Sequence, residues 1–318
     1  MDAGNLAELE PVALAATRAA ALACQRWIGR GSPDDADEAA TEAMRTALAK
    51  AQGLGTVVIG EGAKDKAPML FDGEQVGKGG EPAFDIAVDP LECTKLCAKG
   101  LPSSLATIAF AQPGTMPPLG AAYYMDKLVG PRALRGVLNL TDPPETTLQR
   151  TSEVLGKPIQ DLRIVVLDKP RHEELIERLQ RAGAEVSIPP DGDVAGALAA
   201  ILPGAEADLL MGIGGTPEGV MTACAVRALG AFMQARLAPQ RPDEEQAVAS
   251  AGLSTERIYE LDELAAGEGL FAATGITGGP LLRRPWRQDG HVYTESIVIA
   301  AGTVRTVVEA GPETAPNH

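Results

Sequence analysis

The sequence predicts an α/β fold, with helices on the faces of a mostly parallel sheet. Apolar stretches of strand length alternate with helical stretches, most clearly from Arg163 onward. Several apolar stretches end in glycine-rich turns, such as Gly214–Gly215. The chain has 318 residues, which exceeds the usual size of a single core, so two domains or one large layered domain are expected.

The first half of the chain begins with two predicted helices, followed by two short strands. The helices run from Glu10 to about Ile28 and from about Ala36 to Ala51, and residues 34–35 are candidate N-caps of the second helix. The strands are Thr56–Ile59 and Phe84–Val88. The first strand ends in a glycine turn and the second in an acid followed by proline, both of which are typical strand ends.

In the second half of the chain, strands and helices alternate in the pattern of a parallel sheet. The strands are predicted at 163–167, 185–188 and 208–213, and the helices at 171–183, 193–202 and from 216 to about 236. Residues 291–308 alternate like two strands joined near Ala301–Gly302. The predicted domains are therefore 1–160 and 161–310, followed by a flexible tail at 311–318. Packing of the C-terminal strands on the first half is an open alternative.

The charge of the chain limits its partners. The net charge is −15 and the pI is near 4.7, which argues against nucleic acid or an anionic membrane as a partner. A phosphorylated substrate would be repelled by this negative charge unless metal cations or a few Lys and Arg side chains made the binding site positive. The acidic N-terminal sequence lacks a basic and apolar leader, and no apolar run approaches the ~20 residues that span a bilayer. A soluble, cytoplasmic protein with reduced cysteines is expected.

Acidic residues stand at the ends of the predicted strands. Glu61, Asp89 and Asp193 each follow an apolar strand pattern, and Asp85 lies within one. A single such acid is most often an N-cap or a turn residue. In open α/β sheets, however, ligands bind beyond the carboxyl ends of the strands, and several carboxylates gathered there repel unless cations hold them. Oxygen ligands without His or Cys indicate Mg²⁺ or Mn²⁺ rather than Zn²⁺.

The most informative local string is Asp-Pro-Leu-Glu-Cys-Thr at 89–94. It combines an acid at the end of a strand, a proline that fixes the turn, a second acid and a hydroxyl at a helix start. Two such acids suit a metal ion, while Thr94 and the helix start suit a phosphate. Alone, an acid and a threonine in a turn also form a common helix cap.

Motifs along the chain resemble those of the class II fructose-1,6-bisphosphatases of bacteria. They occur in the order of that family, from A-D at 36–37 to T-E-S at 294–296. The others are I-G-E-G at 59–62, A-P-M-L at 67–70, D-I-A-V-D-P-L-E at 85–92, K-P-R-H at 169–172, P-D-G-D-V at 190–194, G-I-G-G-T-P-E-G-V at 212–220 and A-T-G-I-T at 273–277. The family belongs to the lithium-sensitive sugar-phosphatase superfamily, so the resemblance implies a layered α-β-α-β-α sandwich.

The resemblance also implies an activity, a metal and an assembly. The activity is hydrolysis of the 1-phosphate of fructose-1,6-bisphosphate to fructose-6-phosphate and phosphate, in gluconeogenesis or the Calvin cycle. The cofactor is Mn²⁺ or Mg²⁺, and the assembly is a homodimer or homotetramer. Residues 1–160 would bind the metal and the reacting phosphate, and residues 161–310 the sugar.

The family's functional positions fall on acids, one hydroxyl and a small cationic group of this chain. The metal ligands implied by the resemblance are Asp37, Glu61, Asp89, Glu92 and Glu218. The implied catalytic residues are Asp65, Glu61 and Thr94, where Thr94 also contacts the phosphate. The implied sugar and distal-phosphate residues are Tyr124, Lys169, Arg171, Asp191 and Asp193.

Each assignment has a structural alternative. Lys169 and Arg171 also suit solvated charges at a helix start, and Tyr124 suits the edge of a core. Residues 191–193 also suit a turn with an N-cap.

The chain departs from the family pattern at four positions. Pro33 replaces a usual Lys, Ala63 a usual Glu, Lys66 a common acid and Cys93 a usual Gly. Of these, Cys93 has the clearest physical consequence. A glycine there lets the backbone approach a phosphate closely and adopt an unusual φ, whereas cysteine adds a Cβ atom and a thiol.

Two alternative functions stay open. One is a related phosphatase that acts on sedoheptulose-1,7-bisphosphate, an inositol phosphate or a nucleotide 3′-phosphate. Lys169 and Arg171 favour a bisphosphate, because a monophosphate needs no second cationic anchor. The other is a catalytically weakened sugar-phosphate-binding paralogue, which the departures from the family pattern keep open.

Overall fold

The computed structural model describes residues 8–60 and 69–312. The helices in chain order are α1 (Glu10–Ala23), α2 (Pro33–Leu48), α3 (Thr94–Lys99), α4 (Pro144–Leu155), α5 (Glu173–Arg181), α6 (Asp193–Ile201), α7 (Thr216–Ala228), α8 (Pro242–Ser250) and α9 (Leu261–Leu264). The strands are β1 (Gly53–Ile59), β2 (Gln75–Gly79), β3 (Ala83–Glu92), β4 (Leu105–Ala111), β5 (Tyr124–Gly130), β6 (Arg163–Val165), β7 (Glu185–Ser187), β8 (Leu209–Gly215), β9 (Phe232–Leu237), β10 (Ile258–Glu260), β11 (Gly269–Gly275), β12 (Trp286–Gln288), β13 (His291–Ala300) and β14 (Thr303–Pro312).

The chain forms two compact units. The first comprises residues up to Phe110 together with those from Leu270 onward, and the second comprises Ala111–Gly269. This division differs from the predicted boundary near residue 160. The reason is that the C-terminal strands join the sheet begun by the N-terminal ones, with β11 beside β4.

The first unit is built on a sheet in the order β12-β13-β11-β4-β3-β1-β2, with β14 paired to β13. Helices α1 and α2 pack together, and their alanine-rich faces share one core with the strands. Small side chains such as Ala16 and Ala40 are fully buried there. Aromatics make up only 3% of the chain, so aliphatic side chains fill most of this core.

The second unit is built on a sheet in the order β10-β9-β5-β8-β6-β7. Its core contains Leu128 of β5, Leu148 of α4 and Leu179 of α5. Strands β6 and β7 are parallel, as are β6 and β8, whereas β5 is antiparallel to both of its neighbours.

The α/β class predicted from the sequence is confirmed, but the expectation of mostly parallel sheets is wrong. Both sheets are mixed, and antiparallel pairs such as β1–β2 and β13–β14 outnumber the parallel pairs among the pairings recorded for the described residues. The C-terminal strands were correctly expected to be joined near Ala301–Gly302, where both residues have positive φ, 47° and 75°. The predicted tail at 311–318 overlaps this hairpin, because β14 continues to Pro312.

Several predicted element bounds are also wrong. The first helix ends at Ala23 and not near Ile28. The helix expected to reach about Arg236 ends at Ala228, because Gly230 with φ of 63° terminates it, and β9 follows. The strand expected to end at Val88 continues to Glu92, so that it carries both acids of the 89–94 string. In the described part of the chain, no helix is long and apolar enough to cross a membrane.

Candidate active site

Strand β3 brings two predicted metal ligands together. Asp89 is half-buried and Glu92 is buried, and one carboxylate oxygen of each lies within 4.8 Å of the other. The Leu91 N–H donates a 3.0 Å hydrogen bond to Asp89 Oδ1, and the Thr107 hydroxyl on β4 donates to the Asp89 carbonyl at 3.2 Å. Two carboxylates held this close repel each other, and a divalent cation would offset that repulsion. The donors present therefore fit a hard metal ion.

The turn after β3 presents Thr94 at the start of α3. Cys93 precedes it in the left-handed conformation, with φ of 65° and ψ of 46°. The Thr94 hydroxyl donates to the Leu91 carbonyl at 2.9 Å, and the Ser104 hydroxyl donates to the Cys93 carbonyl at 3.1 Å. These two hydrogen bonds hold a backbone turn that a glycine would adopt without strain.

The remaining predicted metal ligands are placed on other elements or are not described. Asp37 is half-buried within α2. Glu61 and Asp65 lie outside the described residues. Glu218 belongs to the second unit and lies in the first turn of α7, where the partial positive charge of a helix start favours a carboxylate.

Two glycines at the end of β8 make room for predicted site carboxylates of the second unit. A Cβ atom at Gly215 would lie 1.7 Å from Glu218 Oε2, and one at Gly214 would lie 2.0 Å from Asp193 Oδ2. Both distances are far below van der Waals contact, so any larger residue would displace the acids. The Gly-Gly-Thr-Pro-Glu string at 214–218 is therefore explained by close packing of backbone against these two side chains.

Asp193 begins α6 and is ion-paired with Lys127, which projects from the middle of β5. Both side chains are buried, with exposed fractions of 7% and 2%. The same Lys127 Nζ donates a 2.7 Å hydrogen bond to the Gly215 carbonyl. Lys127 thus links a predicted sugar-site acid to the turn that leads into α7 and Glu218.

Arg171 and Tyr124, both predicted to bind substrate, lie against each other. The guanidinium carbon of Arg171 lies 5.1 Å from the centre of the Tyr124 ring, in the range of a cation–π contact. Two N–H groups of Arg171, on Nε and Nη2, donate to the Ile213 carbonyl at 3.2 and 2.8 Å. The arginine is therefore fixed between β5 and β8, and its other N–H groups are available to an anion.

The His172 ring links Leu167 to Ile213, the residue whose carbonyl binds Arg171. Its Nδ1 lies 2.8 Å from the Leu167 carbonyl, and its Nε2 accepts a 2.7 Å hydrogen bond from the Ile213 N–H. Since Nε2 accepts, the ring is neutral and Nδ1 carries the proton. Burial lowers the pKa of His172, although the bond to the Leu167 carbonyl opposes this shift.

Lys169 and Asp191, the last two predicted sugar-site residues, pair with each other. Lys169 Nζ lies 3.6 Å from Asp191 Oδ1, and both side chains are about one third exposed. The second unit thus brings Lys169 together with Asp191, and Arg171 together with Tyr124, while Asp193 is paired with Lys127.

Lys127 and His172 were not predicted as site residues. The signal for Lys127 was a single lysine in the apolar strand Y-M-D-K-L-V-G, because a lysine in such a strand is buried only when it is paired. His172 belongs to the K-P-R-H string, but only the structure shows that its ring supports Ile213.

Comparisons with known proteins show the family of this chain. A family model described as bacterial fructose-1,6-bisphosphatase, glpX-encoded, matches residues 7–310. Fructose-1,6-bisphosphatase class 2 of Haemophilus influenzae is 42% identical over 306 residues, which cover 92% of this chain and 91% of that protein. Fructose-1,6-bisphosphatase 1 class 2 of Escherichia coli K12 is 41% identical, covering 92% and 90%. A protein of Synechococcus sp. JA-3-3Ab named D-fructose 1,6-bisphosphatase class 2/sedoheptulose 1,7-bisphosphatase is 41% identical, covering 91% and 90%.

These matches extend over nearly the whole chain and confirm the resemblance drawn from the sequence motifs, together with the α/β fold of the sugar-phosphatase type. The chain belongs to the bacterial class II fructose-1,6-bisphosphatase family.

Proposed function

We propose that this protein hydrolyses the 1-phosphate of fructose-1,6-bisphosphate, releasing fructose-6-phosphate and phosphate, in gluconeogenesis or the Calvin cycle. The observation that carries the proposal is the pair of Asp89 and Glu92 carboxylates within 4.8 Å of each other, directly before Thr94. In a chain of this family, such a pair is the expected centre of phosphate-ester hydrolysis. The names of the relatives supply the substrate.

The family is metal-dependent, and the carboxylates of this chain suit a hard divalent ion. The ligands that we propose are Asp37, Glu61, Asp89, Glu92 and Glu218, with Mn²⁺ or Mg²⁺ as the ion. When bound, such an ion lowers the pKa of a water molecule and stabilises negative charge on the leaving oxygen. The five acids would hold the ion and orient the scissile phosphate against it.

The catalytic groups that we propose are Asp65, Glu61 and Thr94. The Thr94 hydroxyl would contact an oxygen of the reacting phosphate, where charge concentrates during the reaction. Asp65 would orient the attacking water or accept its proton. The single hydroxyl hydrogen of Thr94 is donated to the Leu91 carbonyl in the structure, so it would have to turn from that carbonyl to the phosphate oxygen.

The sugar and its distal phosphate would be held by the second unit. Arg171 and Lys169 supply the positive charge for the 6-phosphate, and Tyr124, Asp191 and Asp193 suit the sugar hydroxyls. This remote contact would position the reacting phosphate, so its loss would affect the rate as well as the affinity. The residues proposed for the sugar and its distal phosphate thus all belong to the second unit.

A second substrate is supported by one relative. The Synechococcus protein is named as both a fructose-1,6- and a sedoheptulose-1,7-bisphosphatase. Both substrates place a second phosphate at the far end of a sugar, so the same cationic pair would serve either. We also propose a homodimer or homotetramer and a cytoplasmic location.

Phosphate release by the purified protein tests the function. The protein is offered fructose-1,6-bisphosphate, sedoheptulose-1,7-bisphosphate and a panel of sugar monophosphates, each with Mn²⁺ or Mg²⁺. We expect metal-dependent release from a bisphosphate well above the monophosphates. Folded protein that binds metal but releases no phosphate from any of them would instead support the sugar-phosphate-binding alternative.

A further inference from the structure

Strand β14 is a long strand at the edge of the first sheet. It pairs with β13 in an uninterrupted register from Ala300–Thr303 to His291–Pro312. In the part of the chain that the structure describes, no strand pairs with its other edge. Ten residues is about twice the usual length of a strand. Exposed edges of this kind are often protected by lysine, proline or a bulge, and residues 303–311 of β14 contain none of these.

The turn before β14 determines which of its backbone groups point outward. In a hairpin with a two-residue loop, here Ala301–Gly302, the flanking pair Ala300–Thr303 is hydrogen-bonded. Hydrogen-bonded and non-hydrogen-bonded pairs alternate along an antiparallel ladder. The residues that direct both N–H and C=O away from β13 are therefore Val304, Thr306, Val308 and Ala310.

The two faces of β14 differ. Arg305 and Glu309 lie on the face next to α1, where Arg305 pairs with Glu10 and Glu309 Oε1 lies 2.9 Å from Arg18. Glu309 Oε2 is enclosed and has no hydrogen-bond partner among the described residues. On the other face, Val308 is 51% exposed.

We propose that a second copy of this chain pairs with β14 in an antiparallel arrangement whose two-fold axis passes beside Val307. Hydrogen-bonded pairs form only between outward-facing residues of both copies, so the axis must lie beside a residue and not between two residues. An axis at Val307 pairs Thr306 with Val308 and Val304 with Ala310 of the second copy. This register uses nearly the whole strand and forms about eight hydrogen bonds between the copies.

Charge selects this register over its neighbours. With the axis at Val307, Arg305 lies opposite Glu309 of the second copy, in a non-hydrogen-bonded pair whose side chains are close together. Moving the axis by one residue places Arg305 opposite Val307 or Gly311 instead. The pairing also extends the two intrachain ion pairs into one network of alternating charge. Such networks contribute more than isolated surface pairs.

The interface deepens the homo-oligomer proposed above and is independent of the catalytic proposal. A protein that releases no phosphate could still dimerise through β14, and an active protein could dimerise elsewhere. Phosphate release and subunit association are therefore measured separately on the same full-length protein.

Cysteine cross-linking tests the register. With the axis at Val307, the Cα atoms of residue 307 in the two copies are about 4.5 Å apart, which suits a disulfide. We expect Val307→Cys to form a covalent dimer when oxidised glutathione accepts the two electrons and two protons from the thiols. Arg305→Cys, the matched control, should not link because its two copies lie four residues apart. The native cysteines are buried and should not interfere. Cross-linking of Arg305→Cys, or none of Val307→Cys, would overturn the register.

Sedimentation velocity tests the association itself. Val308→Pro removes one outward N–H without touching the ladder to β13, and we expect at least a tenfold higher dimer dissociation constant. Glu177→Gln is the matched control, since it removes an exposed acid of α5 that pairs with Arg181, away from β14, and should leave the dimer intact. Should Val308→Pro fail to fold by circular dichroism, Val308→Lys provides the same test with a charge at the edge. A wild-type monomer, or edge variants that associate as the wild type does, would overturn the proposal.

Discussion

The buried side chain of Lys127 pairs with Asp193 while its Nζ also hydrogen-bonds to the Gly215 carbonyl at 2.7 Å. One lysine therefore holds both a proposed sugar-site acid and the turn that leads to Glu218. Because the pair is buried, removing one partner leaves an uncompensated charge, whereas removing both does not.

Replacing Lys127 with methionine tests this linkage. We expect Lys127→Met to lower the free energy of unfolding by roughly 3–5 kcal/mol and to raise the KM for fructose-1,6-bisphosphate. The double variant Lys127→Met/Asp193→Asn should recover much of the stability but keep the high KM. Urea unfolding and steady-state kinetics give the two readouts. Equal stability losses in the single and double variants would show that Lys127 does not act through Asp193.

Cys93 is expected to cost stability because it has a positive φ of 65°. We expect Cys93→Gly to raise the free energy of unfolding by about 1 kcal/mol, since glycine adopts this conformation without steric penalty. Cys93→Ala is the matched control, because it removes the thiol but keeps the Cβ atom. Urea unfolding distinguishes the two causes. A gain in the alanine variant equal to that of glycine would assign the cost to the buried thiol instead.

His172 makes the stability depend on pH. Burial lowers its pKa in the folded protein, so the unfolded chain takes up a proton first as the pH falls. The stability from the neutral ring is thus fully present above pH ~6.5 and is lost as the pH falls from there through the folded pKa. The free energy of unfolding, measured between pH 8 and 5, should therefore fall with pH. His172→Gln should make this fall smaller. An identical slope in wild type and variant would exclude His172 as the source.

Part of this architecture could be predicted from the sequence, because local patterns determine it. The glycine pair at 214–215 marked the start of α7, and Ala301–Gly302 marked the C-terminal hairpin. Gly230 was an equally local signal for the end of α7. The apolar residues on both sides of it, however, suit a helix as well as a strand, so β9 was predicted as part of the helix.

Other features depend on contacts between distant residues. Lys127 and Asp193 are 66 residues apart and meet because β5 pairs with β8. The sequence pattern gives no strand order, so neither this pair nor the division at residues 110 and 270 could be derived from it.

The acids of β3 can be tested apart from the fold. We expect Asp89→Asn or Glu92→Gln to reduce phosphate release by about a hundredfold or more, because each removes a charge from the proposed metal site. Thermal unfolding without metal should change little, and calorimetric titration with Mn²⁺ should show weaker binding. Asp262→Asn, which removes an exposed acid paired with Arg135 and Arg227, is the matched control and should leave phosphate release and Mn²⁺ binding unchanged. Near-normal turnover of both β3 variants at saturating metal would disprove the ligand assignment.

Arg171 should distinguish bisphosphates from monophosphates. Its guanidinium stacks 5.1 Å from the Tyr124 ring centre and donates two hydrogen bonds to the Ile213 carbonyl, an arrangement that a lysine cannot reproduce. We expect Arg171→Lys to raise the KM for fructose-1,6-bisphosphate about tenfold, with a smaller change in kcat and little effect on a sugar monophosphate. Arg181→Lys on α5 is the control, since Arg181 is exposed and forms its ion pair with Glu177 of the same helix. Equal effects of Arg171→Lys on both substrate classes would mean that Arg171 supports the fold of the site and does not bind the distal phosphate.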